Sequence, residues 1–82
     1  MMITSVLSER EKEVLHLAMD GLSSKESARI LGIAFRTIEA HRQHILTKTD
    51  SKNLLHLVGK IYRETIITKY SVKENESTSN IQ

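Results

Sequence analysis

Two capping-box sequences, each followed by a glycine, constrain the fold of this chain more than any other feature. Ser8 and Glu11 have the Ser-x-x-Glu spacing in which two side chains satisfy free backbone N–H groups at a helix start. Gly21 lies where a residue with left-handed backbone would end that helix. The stretch SSKE (23–26) repeats the capping box, and Gly32 lies where it would end the second helix. The first 32 residues are therefore predicted to form two short helices.

The short spacing between the second helix and the next one predicts a helix-turn-helix. Ala28, Ile30 and Leu31 supply the apolar face of the second helix. Residues 32–34 separate it from a third helix, predicted over residues 35–48. Two helices joined by about three residues that include a glycine are typical of this motif.

A fourth helix is predicted from about residue 52 to residue 68, with Asp50 or Ser51 as its cap. One apolar stripe is suited to packing on the first helix and consists of Leu54, Leu57, Val58, Ile61 and Thr65. A second stripe beside it consists of Leu55, Tyr62 and Ile66. Residues 69–82 are polar and without periodicity, which predicts a disordered tail. The predicted architecture is an all-α four-helix bundle, residues 1–68, followed by that tail.

Composition restricts the functions that the chain can have. It contains no cysteine, so a disulfide framework and a thiolate metal site are excluded. No apolar run approaches the roughly 20 residues that cross a membrane, and the start lacks a signal-peptide pattern, which predicts a cytoplasmic protein. Residues 1–24 hold two basic and four acidic residues, whereas residues 25–52 hold six basic and three acidic ones. This basic middle favours an anionic partner.

The predicted third helix has a face suited to reading DNA. At about 100° per residue, its buried arc contains Ala34, Phe35, Ile38, His41, Ile45 and Thr49, with Arg42 extending from it. The opposite face carries Arg36, Glu39, Ala40, Gln43 and Thr47, flanked by Thr37 and His44. An α-helix fits the DNA major groove, where side chains of these types contact base edges. An ordinary solvated helix face is the alternative.

The stretch from Leu7 to Val58 resembles the LuxR/FixJ-type (GerE-like) DNA-binding domain of bacterial transcription regulators. The resemblance rests on SEREKEVL (8–15), GLSSKE (21–26), RTIEAHRQHIL (36–46) and LV (57–58). It implies a third helix in the major groove of double-stranded DNA, a homodimer formed through the fourth helix, and paired domains on inverted half-sites. RNA polymerase is a further candidate partner.

The resemblance also implies roles for particular residues. Three fall where relatives often contact bases: Glu39, Ala40 and Gln43. Six fall where contacts to the DNA backbone are expected: Ser24, Lys25, Arg36, Thr37, Arg42 and Lys48. The second stripe of the fourth helix, Leu55, Tyr62 and Ile66, is assigned to the dimer interface. Ala34 departs from the family because it replaces a capping side chain, and Glu39 departs because it replaces a frequent lysine.

Other functions fit the sequence less well. His41 and His44 are three residues apart but about 60° apart on the wheel, so a metal site is not expected. No nucleophile elbow or phosphate loop indicates an enzyme, and no cofactor is expected. Region 4 of sigma factors is also a helix-turn-helix with a similar sequence pattern, and it is an alternative within DNA binding. A stand-alone antagonist that pairs with a full-length relative through the fourth helix is the alternative outside DNA binding.

The role of Glu39 also has an alternative. A salt bridge from Glu39 to Arg36 or Arg42 would occupy the carboxylate and prevent it from reading a base.

Overall fold

A computed structural model describes residues 2–66, which form helices joined by turns and contain no strand. A 3-10 helix, Ile3–Val6, precedes α1 (Glu9–Met19), α2 (Ser24–Leu31), α3 (Phe35–Lys48) and α4, which is helical over residues 54–66. The all-α architecture and the helix-turn-helix formed by α2 and α3 are confirmed. The predicted end of the fourth helix at residue 68 and the predicted tail, 69–82, lie outside the described residues.

Both predicted capping boxes are present. At α1, the Ser8 hydroxyl accepts from the Glu11 amide at 3.1 Å, and the Glu11 carboxylate accepts from the Ser8 amide at 2.9 Å. At α2, Ser23 and Glu26 make the same two bonds at 3.1 and 2.8 Å. Each box satisfies N–H groups that have no partner within the helix, which fixes where α1 and α2 begin.

A residue with left-handed backbone conformation follows each of α1, α2 and α3. Gly21 (φ 89°) and Gly32 (φ 69°) have this conformation at the predicted positions. Asp50 (φ 53°) has it after α3, where the sequence pattern predicted a helix cap instead. The amide of Ser51 donates to the Leu46 carbonyl at 2.9 Å, which closes the last turn of α3 as in a Schellman motif.

The start of α4 differs from the prediction. Neither Asp50 nor Ser51 caps it; Asn53 does, because its side-chain oxygen accepts from the His56 amide at 2.8 Å. Asp50 is required to turn the chain out of α3, and the Ser51 hydroxyl bonds to that of Thr49 at 2.8 Å. The helix therefore begins at residue 54 rather than about residue 52.

The core brings together α1, α3, α4 and the segment that precedes α1. Its buried cluster consists of Leu7, Val14, Leu15, Ile38, Ile45 and Leu57. Each such aliphatic side chain contributes about 1.5–3 kcal/mol on full burial. Of the predicted first stripe of α4, Leu57 belongs to this cluster and Leu54 and Ile61 pack against it, whereas Val58 is only half-buried and Thr65 is exposed. Ile30, Ala34 and Phe35, which were assigned to buried faces, are exposed at or beside the turn of the helix-turn-helix.

Two polar contacts connect elements distant in sequence. Lys48, the last residue of α3, donates to the buried Glu11 carboxylate of α1 at 2.8 Å. The amide of Ile3 donates to both carboxylate oxygens of Glu64 on α4, at 2.8 and 2.9 Å. The first contact holds α3 on α1, and the second holds the N-terminal segment on α4. No helix within residues 2–66 is long and apolar enough to cross a membrane.

Candidate nucleic-acid interface

The outer face of α3 is solvated, and its inner face is anchored in the core. Ile38 is fully buried, Ile45 is nearly so, and Thr49 just beyond the helix is buried as well. The side chains between these anchors define the α3 outer face, and all of them are exposed: Arg36, Thr37, Glu39, Ala40, Gln43, His44 and Thr47. The predicted division of this helix therefore holds for its outer face, and it presents no large apolar side chain there.

The three predicted base-contacting residues share one side of the α3 outer face. Glu39 and Gln43 are four residues apart and therefore project from successive turns, with Ala40 beside them. The Gln43 side chain makes no hydrogen bond within residues 2–66, so its amide group is available as both donor and acceptor. Ala40 offers only a methyl group. The structure thus places an acidic side chain, an amide that both donates and accepts, and a methyl group side by side.

Glu39 has a partner that the sequence did not predict. The hydroxyl of Ser24, the first residue of α2, donates to Glu39 Oε2. No ion pair joins Glu39 to Arg36 or Arg42 among the described residues, so the salt-bridge alternative is wrong. The carboxylate is instead drawn toward the N-terminus of α2, where the helix dipole also favours negative charge.

Arg42 connects α3 to the turn between α1 and α2. Its Nη2 donates to the Leu22 carbonyl at 2.9 Å, and the side chain is half-buried. Arg42 and Glu39 are three residues apart, so α3 contacts both the end of that turn and the beginning of α2. The orientation of α3 against α2 is therefore set by polar contacts as well as by the core.

The predicted backbone-contacting residues fall into two groups. Lys25, Arg36 and Thr37 are exposed and make no side-chain hydrogen bond within residues 2–66. The others have partners inside the protein: the buried Ser24 bonds to Glu39, Arg42 to a carbonyl, and Lys48 to Glu11. Arginine and lysine retain further donors after one bond, whereas the single hydroxyl proton of Ser24 is already used.

The histidines differ in burial and in hydrogen bonding. His44 is exposed, whereas His41 is half-buried, and the His41 Nδ1 has no hydrogen-bond partner within residues 2–66. His56 contributes to the start of α4, where its Nδ1 accepts from the Lys52 amide at 2.9 Å. In the described part of the chain, no three metal-binding side chains cluster.

A second exposed surface lies on α4, and we name it the α4 patch. It consists of Leu55, Tyr62 and Ile66, the residues predicted to form a dimer interface. Leu55 is 81% exposed and Tyr62 is 66% exposed, while Ile66 is half-buried. Gly59 is nearby on the helix, and a Cβ added there would meet no atom within 4 Å. A helix from another molecule could therefore approach closely at this point.

Comparisons with known proteins agree with this architecture. Residues 5–61 match the family described as "Bacterial regulatory proteins, luxR family". The transcriptional regulatory protein TdiR of Thauera aromatica is 44% identical over 59 residues, which cover 68% of this chain and 26% of TdiR.

Two further relatives are similar over comparable lengths. The probable transcriptional regulator ycf29 of Porphyra purpurea is 38% identical over 69 residues, covering 84% of this chain and 28% of ycf29. The transcriptional regulatory protein FixJ of Rhizobium meliloti is 46% identical over 52 residues, covering 63% and 26% respectively. The chain thus spans 26–28% of the length of these relatives. No solved structure matches it.

Proposed function

The chain belongs to the luxR family of bacterial regulatory proteins, and we propose that it binds double-stranded DNA sequence-specifically as a transcription regulator. The α3 outer face carries this proposal. It is an exposed helix surface of small, charged and hydrogen-bonding side chains, and Ile38 and Ile45 anchor its helix in the core. A helix of this kind enters the major groove, whose width matches that of an α-helix.

Three side chains read bases in this proposal. Gln43 can form a bidentate pair with adenine, and Ala40 can contact the methyl group of thymine. Glu39 can only accept hydrogen bonds, so the exocyclic amino groups of cytosine and adenine are its candidate partners. Each good bidentate contact discriminates against the wrong base by about 1–3 kcal/mol.

Backbone contacts position the domain in this proposal. The exposed Lys25 lies in the first turn of α2, and the exposed Arg36 and Thr37 lie in the first turn of the inserted α3, where they can reach the phosphates at the edge of the groove. Arg42 and Lys48 add charge through the donors that their internal bonds leave available. Phosphate contacts of this kind supply affinity and register but carry no sequence information themselves.

The α4 patch mediates homodimerisation in this proposal. Leu55 and Tyr62 expose large apolar surfaces on one side of a helix, which favours burial against a second copy. A two-fold dimer would use the same patch on both molecules and would place two α3 helices on inverted half-sites about 10 base pairs apart. RNA polymerase is proposed as a further partner of the DNA-bound dimer.

Selection from random duplex DNA followed by gel-shift titration tests the DNA-binding proposal. We expect one preferred sequence, and we expect Gln43→Ala to lower the affinity for it by about 1–3 kcal/mol while weakening preference at one base pair. Lys12→Ala is the matched control, because Lys12 is exposed on α1 and pairs with Glu9 away from the predicted contacts. A chain that binds no duplex, yet still associates through α4, would instead be an antagonist.

Sedimentation equilibrium with and without DNA tests the dimer. Leu55→Asn and Tyr62→Asn should each shift the chain toward monomer, whereas Thr65→Asn, an exposed position flanking the patch, should leave association unchanged. Gly59→Ala adds a further criterion. It should stabilise the isolated helix by about 1 kcal/mol but weaken association if the partner helix approaches at that glycine. A strictly monomeric mass at high concentration on DNA contradicts this part of the proposal.

A further inference from the structure

Glu39 is held by Ser24 before any DNA arrives. Ser24 is buried, and its hydroxyl donates to Glu39 Oε2 across the helix-turn-helix, from residue 24 of α2 to residue 39 of α3. The other carboxylate oxygen, Oε1, makes no hydrogen bond within residues 2–66. The carboxylate therefore has one oxygen fixed by the protein and one oxygen available to an outside donor.

The bond from Ser24 affects a base-contacting glutamate in two ways, through its conformational entropy and through the strength with which it is held. A glutamate that is free in solution loses rotamer entropy when it is immobilised, and a bond already present in the free protein removes part of that cost from DNA binding. A hydroxyl donating to a carboxylate is also a charge-assisted bond, which is stronger than a neutral one. The bond keeps the carboxylate beside the positive end of α2.

We propose that Ser24 is a positioning residue that fixes the Glu39 carboxylate for recognition of a base with an exocyclic amino group, cytosine or adenine. This inference rests on the proposed DNA-binding function and adds to it. Ser24 acts through Glu39 and not through a phosphate, because its only hydroxyl proton is already donated and its side chain is buried. Base preference at the Glu39 position therefore depends on a residue of α2 that touches no base.

Ser27 provides a matched control on the same helix. It is fully buried, and its hydroxyl has no hydrogen-bond partner within residues 2–66. Ser27→Ala therefore removes a buried hydroxyl from α2 without affecting Glu39. Ser24→Cys complements Ser24→Ala, because cysteine has a similar shape but is only a weak donor.

The first experiment needs no DNA. Three-bond couplings between the Hα and Hβ protons of Glu39 report its χ1 distribution in solution. We expect a single rotamer in the unmodified protein and in Ser27→Ala, and averaging over rotamers in Ser24→Ala and Ser24→Cys. An averaged Glu39 in the unmodified protein would overturn the inference.

The second experiment measures affinities for the preferred site and for all its single base-pair variants. Glu39→Ala identifies the base pair that Glu39 reads, because preference there should vanish. Ser24→Ala and Ser24→Cys should reduce preference at that same pair by about three- to tenfold, the range expected for immobilising one flexible side chain. Preference at every other pair should persist, and Ser27→Ala should change none.

The outcomes separate the inference from the function on which it rests. If the unmodified protein shows no base preference at all, the proposed function fails. If it does show preference, but Ser24→Ala and Ser24→Cys leave the Glu39 pair unaffected, the function stands and the role of Ser24 is refuted. A uniform loss of affinity for all sequences would also refute it, because a purely structural role would produce that result.

Discussion

Replacing Glu11 by alanine should destabilise the domain much more than the same change at Glu26. Both glutamates occupy the third position of a capping box, and both accept from the amide of the capping serine. Only Glu11 is buried, and only Glu11 has a lysine partner: its Oε1 accepts from the Ser8 amide at 2.9 Å and from Lys48 Nζ at 2.8 Å. The pair of variants therefore isolates the contribution of the contact between α1 and α3.

The magnitude follows from these contacts. Losing the reciprocal cap and the favourable charge at the helix start costs about 1 kcal/mol at Glu11, and the exposed Glu26 loses these two features only. At Glu11 a hydrogen bond to a charged group is lost as well, which costs about 1.5–3 kcal/mol. We take the lower half of that range because the Lys48 side chain is 43% exposed and its ion pair is partly screened. Glu11→Ala should therefore cost about 2.5–3 kcal/mol, and Glu26→Ala should cost distinctly less because only an exposed cap is lost there.

Urea unfolding followed by circular dichroism measures both free energies, since a domain of this size is expected to unfold in two states. Thermal unfolding gives a second readout, because a loss of 1 kcal/mol in unfolding free energy lowers Tm by about 4–8 °C in a domain of 60–100 residues. Combining Glu11→Ala with Lys48→Met should cost less than the sum of the two single changes. Equal losses for Glu11→Ala and Glu26→Ala, or strict additivity with Lys48→Met, would show that the contact does not stabilise the fold.

The pH dependence has a definite sign. The hydrogen bond from Lys48, followed by that from the Ser8 amide, lowers the pKa of Glu11 below its ordinary value. The native state therefore favours the deprotonated form, and the stabilisation is complete above the ordinary glutamate pKa of about 4.3. It is lost as the pH falls through the lowered pKa. The difference in unfolding free energy between the unmodified protein and Glu11→Ala should thus shrink as the pH falls below the ordinary glutamate pKa and through the lowered pKa of Glu11.

Three further predictions follow from local contacts and charge. Ala34 precedes α3 with extended backbone and no capping side chain, so Ala34→Ser should raise the unfolding free energy by about 1 kcal/mol in urea titrations. Asn53→Ala should lower it by about 1 kcal/mol, because the cap of α4 is lost; an unchanged midpoint would contradict the assignment. In DNA titrations, the logarithm of the binding constant should fall with the logarithm of salt concentration at a slope of about −3 to −4 per domain, given the four predicted cationic contacts. A flat dependence would exclude phosphate contacts as the source of affinity.

Local signals in the sequence predicted the helices that carry the site. The capping boxes and the two glycines fixed the starts of α1 and α2 and their ends to within about two residues, and the bounds of α3 are confirmed. These features act over three or four residues, so a pattern can detect them. The α4 start was harder, because several residues between 50 and 53 are good caps and local chemistry alone does not choose among them.

The contacts that shape the candidate site are not local. Ser24 meets Glu39 across 15 positions, and Lys48 meets Glu11 across 37. The helical periodicity of about 100° per residue placed Glu39 on the outer face correctly. The hydrogen-bond partner of Glu39, however, depends on how α2 packs against α3. For the same reason the wheel misassigned Phe35, which is 48% exposed: periodicity identifies a face but not which part of it another helix covers. Asp50 was missed as a left-handed residue because glycine is the usual signal for that conformation.

Backbone amide shifts in a ¹H–¹⁵N spectrum, recorded during titration with the selected duplex, test most directly whether α3 reads DNA. We expect the largest changes along residues 36–47 and at the start of α2, with Gln43 and Glu39 among them. Exposed residues of α1 that are not among the predicted DNA contacts, such as Glu13 and His16, should change little. Changes confined to α4, or shifts of equal size with an unrelated duplex at the same salt concentration, would contradict sequence-specific reading by α3.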